Sequence, residues 1–85
     1  MKKKVQEKSE IRKYYLSEFQ LYDGEAFVTF NIIAINTSKN EITVAVSNRG
    51  RISVITYDLL TDNNGSLYFE YGVDYEKIYI DDFEV

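Results

Sequence analysis

The 85-residue chain contains no cysteine, no histidine and no proline. Without cysteine there is no disulfide, no thiolate nucleophile and no thiolate metal site. Without histidine, the side chain most often used for proton transfer near neutral pH and for metal ligation is missing too. Most enzyme chemistries go with them, so the expectation is a non-enzymatic protein with no cofactor and no metal. No apolar run approaches the ~20 residues of a membrane-spanning helix, and no membrane association is expected. Met1-Lys2-Lys3-Lys4 is followed, over Val5 to Lys13, by neither an apolar stretch nor a small-residue cleavage site. The start therefore reads as unprocessed, and with cysteine absent the expected location is the cytoplasm.

What the chain does contain is ordinary for a folded domain, with 45% hydrophobic and 28% charged residues. A mass of 10.0 kDa leaves room for one core. Residues 1–10 are mostly polar without a sustained period and read as a basic flexible tail; residues 11–85 read as a single small β domain.

Charge is distributed unevenly. Residues 1–13 carry six bases against two acids, a balance of +4, whereas residues 57–85 carry eight acids against Lys77 alone, a balance of −7. Such a field attracts basic partners to the last third and repels phosphates there, although solvated charge that keeps a small domain soluble explains much of it.

Periodicity points to strands. Ile11, Tyr15, Phe19 and Tyr22 fit one helical face, so a short N-terminal helix is one reading; a strand over 18–22 leading through Asp23-Gly24 into a hairpin is the favoured one. The run Ala26 to Ile35 is β-branched and aromatic, and apolar on both faces at Ile32-Ile33, which implies a bulge near Asn31 or a strong bend. Ile42, Val44 and Val46 alternate cleanly with polar or small residues. Asn48-Arg49-Gly50 suits a three-residue hairpin loop, followed by a return strand with Ile52 and Val54 facing inward. Asp62-Asn63-Asn64-Gly65 and Gly72-Val73-Asp74-Tyr75 are turns; Leu67, Phe69 and Tyr71 alternate between them, and 77–83 forms the last strand with Ile78 and Ile80 inward. The predicted interior is Phe27 or Phe30 with Ile42, Val44, Val46, Ile52, Val54, Leu67, Phe69, Ile78 and Ile80. The predicted fold is all-β or mainly β: a five- to six-stranded antiparallel meander closed into a small SH3-like or OB-like barrel. With no proline to blunt sheet edges, closure or a homodimer through an edge strand is the expected remedy.

Two features resemble chemical sites. If Gly65 took the glycine position of a calcium-binding loop, Leu60 and Tyr71 would fall where the first and last carboxylates belong, so the segment is an asparagine-rich turn instead. Asp81-Asp82 is an adjacent carboxylate pair, but neighbours on a strand point to opposite faces and cannot share a substrate unless the strand is broken at that point. Eight tyrosines exceed what so small a core needs. Four of them lie among the acids of the last third, and tyrosine supplies contact area at low entropic cost. The expected binding surface is Tyr68, Glu70, Tyr71, Asp74, Tyr75, Glu76, Tyr79, Asp81 and Asp82, presented to a protein with a basic surface. A sharper form is a phage or mobile-element inhibitor that mimics nucleic acid, in keeping with a Lys/Asn/Ile/Tyr-rich, AT-biased composition from a bacterial or phage genome. The alternative is a small nucleic-acid-binding barrel using Lys2, Lys3, Lys4, Arg12, Lys13, Arg49 and Arg51.

Overall fold

The computed structural model describes residues 15–84. The expected tail over 1–10 and any helix beginning before Tyr15 lie outside the described residues. Seven strands form: β1 (Glu18–Tyr22), β2 (Phe27–Asn36), β3 (Glu41–Asn48), β4 (Arg51–Asp58), β5 (Leu60–Thr61), β6 (Leu67–Tyr71) and β7 (Glu76–Tyr79), followed by one 3₁₀ turn, Ile80–Asp82. They make two antiparallel sheets, β1-β2-β3-β4 and β5-β6-β7. The chain is thus mainly β, with no α-helix among the described residues, and no helix there is long and apolar enough to cross a membrane. The sheets do not join into a closed hydrogen-bonded barrel among the described residues. One bridge links their ends: Glu18 N–H donates to the Glu84 carbonyl at 2.7 Å and Glu84 N–H returns a bond to Glu18 at 2.8 Å.

The strand reading of residues 18–22 holds, with Tyr22 opposite Phe27 across the Asp23–Ala26 loop. The Asp23 carboxylate organises that loop by accepting the amides of Glu25 and Ala26, each at 3.0 Å. The bulge expected in β2 falls at Ile33: Ile32 faces Val44, Ala34 faces Thr43, and Ile33 is the extra residue between them. A bulge resets the alternation. It lets Ile32 and Ile35 both point toward the interior, opposite Val44 and Ile42.

The inner faces of the two sheets enclose the core. Val28, Phe30, Ile32, Ile42, Val44, Val46, Leu59, Phe69, Ile78, Ile80 and Phe83 are buried. Phe30 meets Phe69 edge-on at 5.8 Å, Tyr57 stacks on Phe69 at 4.9 Å, and Phe83 sits 5.6 Å from Phe19. Large rings from both sheets thus share one interior, each burying enough apolar surface to contribute ~2 kcal/mol or more.

Several assignments need correction. Ile52 and Val54 point outward, at 71% and 67% exposure, and Leu67 is exposed as well. The cause for β4 is the turn: Asn48 faces Arg51, so the loop is two residues, Arg49-Gly50, both with positive φ (53° and 81°). Shifting a loop by one residue exchanges the faces of the following strand. Of the two phenylalanines offered for the interior, Phe30 fills it and Phe27 stays exposed, its ring tilted against that of Tyr22 at 5.1 Å. The last strand stops at Tyr79, and Asp81 and Asp82 sit on the 3₁₀ turn rather than on a strand. The strand count rises to seven because the two-residue β5 resumes pairing beyond Leu59, whose buried side chain and amide bond to the Asn40 carbonyl interrupt the strand.

Candidate functional site: acidic clefts at the β6–β7 tip

Residues 15–84 hold twelve acids and four bases, a balance of −8, so the described domain is more acidic than the whole chain at −4. The predicted binding residues occupy three separate places. On the outer face of the small sheet, Tyr68 stands opposite Tyr79 and Glu70 opposite Lys77. The two tyrosine rings lie 5.3 Å apart, and the Lys77 ammonium sits 5.2 Å from the Tyr68 ring centre. That face already holds its own cation, which occupies the ring a basic partner would seek.

Tyr79 is further committed. Its hydroxyl donates to Oδ2 of Asp62 at 3.0 Å, while Asp62 Oδ1 accepts the amides of Asn64 and Ser66. These bonds, that from Ser66 foremost, hold the Asp62 carboxyl below its ordinary pKa, and the bond to Asp62 pushes the Tyr79 phenol above its own. Asp62 therefore closes the β5–β6 turn, and the turn-forming role read from its sequence is the one it performs.

Asp82 lies at the far end of β7 from the hairpin tip. With Glu18, Glu84, Phe19 and Gln20 it lines a depression of about 480 Å³ beside the Glu18–Glu84 bridge. Among the described residues no group of three or more acidic side chains is arranged to hold a metal ion.

Asp74, Tyr75 and Glu76 belong to the tip itself. Gly72 and Tyr75 both have positive φ (77° and 54°), and the Tyr75 amide donates to the Gly72 carbonyl at 3.2 Å. This tight turn thrusts Val73 and Tyr75 into solvent, at 93% and 69% exposure. A cleft flanks the tip on each side. One, of about 530 Å³, is lined by Tyr57, Asp58, Leu60, Glu70, Val73 and Tyr75 around Gly72. The other, of about 370 Å³, is formed by Leu21, Tyr22 and Asp23 on one side and Tyr71 to Asp74 with Glu76 on the other. Together they present five carboxylates, several tyrosine rings and no lysine or arginine. Tyr71 forms cleft wall rather than open surface, because its ring packs edge-on against Phe30 at 4.9 Å. Burial raises the Tyr57 phenol pKa, with the neighbouring Tyr71 adding to the effect, so Tyr57 stays neutral at the cleft's edge.

Sequence reasoning missed Leu21, Tyr22, Asp23, Tyr57 and Asp58, which come to the tip from β1, its following loop and β4. The readable signal was Val73, an isolated apolar residue between Gly72 and Asp74 in a turn, where nothing local can bury it. Of the alternative basic set, Arg49 is paired with Glu25 of the neighbouring hairpin and Arg51 is exposed at the start of β4. Lys2, Lys3, Lys4, Arg12 and Lys13 lie outside the described residues. Comparison with protein-family models, curated proteins and solved structures finds no match to this chain.

Proposed function

We propose that this chain is a non-enzymatic protein-binding module whose β6–β7 tip engages a basic surface of its partner. The observation that carries this reading is the pair of clefts flanking Val73, which are lined by carboxylates and tyrosine rings and by no lysine or arginine, Lys77 standing opposite Glu70 alone. A lysine or arginine side chain has an apolar stem and a charged head, so it fits a groove whose walls are rings and whose rim is acidic. Val73 and Tyr75 supply the exposed apolar contact that a purely electrostatic encounter lacks. Within this class, an inhibitor that shows carboxylates where a DNA-binding enzyme expects phosphates is the sharper form, working in the cytoplasm of a bacterial or phage-infected cell. Two features support an incompletely closed SH3-like or OB-like barrel as its scaffold: β5 follows β4 after the single residue Leu59, and Glu84 bridges back to Glu18.

The test compares a lysine-rich peptide with a single-stranded oligonucleotide, each titrated into isotopically labelled protein. The peptide is expected to bind saturably, shifting amides of 70–76 and weakening with salt, and to lose most of its affinity in a variant carrying Asp58→Asn, Glu70→Gln and Glu76→Gln. If the oligonucleotide binds instead, and Lys2, Lys3 and Lys4 replaced by Gln abolish that binding, the nucleic-acid alternative takes its place.

A further inference from the structure

The four-stranded sheet ends at β4, and seven of the eight residues of this strand are exposed. Among the described residues it hydrogen-bonds to β3 alone. Because the Arg49-Gly50 loop makes Asn48 and Arg51 the first bonded pair, the amides and carbonyls of Ile52, Val54 and Thr56 face away from β3. Those residues also carry their side chains on the sheet's outer face, opposite Ser47, Ala45 and Thr43. Proteins blunt such an edge with lysine, proline, a bulge or a covering segment. Arg51–Asp58 contains no lysine, proline or glycine, and its pairing with β3 runs without a register shift. At the opposite edge, Glu84 covers the backbone of Glu18.

We infer that β4 is a self-association edge, pairing antiparallel with β4 of a second copy of the chain across a twofold axis. The charge layout of the strand selects this occupant. Arg51 stands at its start, and Asp58, facing Glu41, stands at its end. Antiparallel pairing sets the basic end of each copy beside the acidic end of the other, whereas parallel pairing sets like charges together. A twofold axis normal to the sheet requires paired residues to share a face, which centres the contact on Val54. Val54 then faces its own copy, Ile52 faces Thr56 of the second copy, and Arg51 faces Tyr57 of the second copy, one residue from Asp58. The exposed Ile52 and Val54 side chains of both copies merge into one apolar stripe on the outer face. This inference does not rest on the acidic clefts, although Tyr57 and Asp58 of the strand also line one of them, and it needs no partner of another kind.

Sedimentation of the full chain at sub-millimolar concentration is expected to show a species of twice 10.0 kDa. Val54→Lys, at an exposed position, keeps the thermal midpoint of the dilute protein and yields the monomer. Ile52→Lys and Thr56→Lys, at the two residues that pair across the axis, each weaken the dimer several-fold. Hydrogen exchange adds an independent reading, since the Val54 amide becomes protected only as concentration rises. A chain that stays monomeric overturns the inference. So does protection of Val54 in the monomer, which assigns the edge to another segment of the same chain. A dimer untouched by Val54→Lys, or by Ile52→Lys and Thr56→Lys, overturns it as well.

Discussion

The Tyr79 hydroxyl at the end of β7 reaches back seventeen residues to donate to the Asp62 carboxylate, tying the small sheet to the turn that starts its central strand. The bond depends on both protonation states. Asp62 titrates below its ordinary 3.8, so its contribution to stability is present above that value and is lost as pH falls through the lowered one. Tyr79 titrates above its ordinary 10.0, so its contribution is full below 10.0 and is lost as pH rises through the raised value. In Tyr79→Phe, carbon-detected NMR should show Asp62 titrating closer to 3.8, and thermal melts should show a smaller alkaline loss of stability. The loss that remains belongs to groups such as Tyr57, whose half-buried phenol is also held neutral. An Asp62 titration unchanged by removal of the hydroxyl would show that the bond is not populated in solution.

Val44 and Ile52 test the two central strands against each other. Val44 is fully buried on β3 between Ile32 and Ile55, whereas Ile52 lies outward on β4. Val44→Asp places a carboxylate among apolar side chains and should cost several kcal/mol, close to the ~5 kcal/mol total of a domain this small. Ile52→Ser removes an exposed side chain and should change monomer stability by less than about 0.5 kcal/mol. Denaturation of dilute protein reads both; equal losses would mean that β4 faces the other way.

The difference between these strands also shows which parts of the fold were legible. The inward face of β3 follows from Ile42, Val44 and Val46 alternating with Thr43, Ala45 and Ser47, a pattern with one solution. The β4 run Ile52-Ser53-Val54-Ile55-Thr56-Tyr57 is apolar on both faces, so only the preceding loop decides its orientation. Glycine is the natural left-handed residue of that loop, which favours three residues with Gly50 alone at positive φ. The structure places Arg49 there too, a conformation local preference disfavours. Likewise, the acids and tyrosines of the tip were readable as a cluster. The clefts were not, because their other walls come from Tyr22 and Tyr57, which only the fold brings near.

That turn yields its own expectation. A Cβ built on Gly50 meets nothing within 4 Å, so the effect of Gly50→Ala is conformational rather than steric crowding. At a φ of 81° an alanine should cost about 1 kcal/mol. The measurement is the urea midpoint at unchanged slope. A stability equal to that of the parent would indicate that the chain relaxes into the longer loop, with β4 turned over.

Tyr75 combines two properties that the core does not require. It holds a left-handed φ of 54°, which is unfavourable for a bulky residue, and it exposes most of its ring beside the acidic clefts. Asparagine tolerates that backbone conformation better and carries no ring, so Tyr75→Asn should leave the thermal midpoint equal or higher. Its effect on binding should be opposite in sign to its effect on stability, and distinct in kinetics from that of the amide variant. Neutralising Asp58, Glu70 and Glu76 removes the field that guides encounter and should lower the association rate. Losing the Tyr75 ring removes contact made only in the complex and should raise the dissociation rate about tenfold, or about 1.4 kcal/mol. Surface plasmon resonance against the immobilised lysine-rich peptide separates the two rates. A Tyr75→Asn protein more stable than the parent and equally slow to dissociate would leave the exposed ring without a part in binding and move the contact to Val73 and the cleft walls.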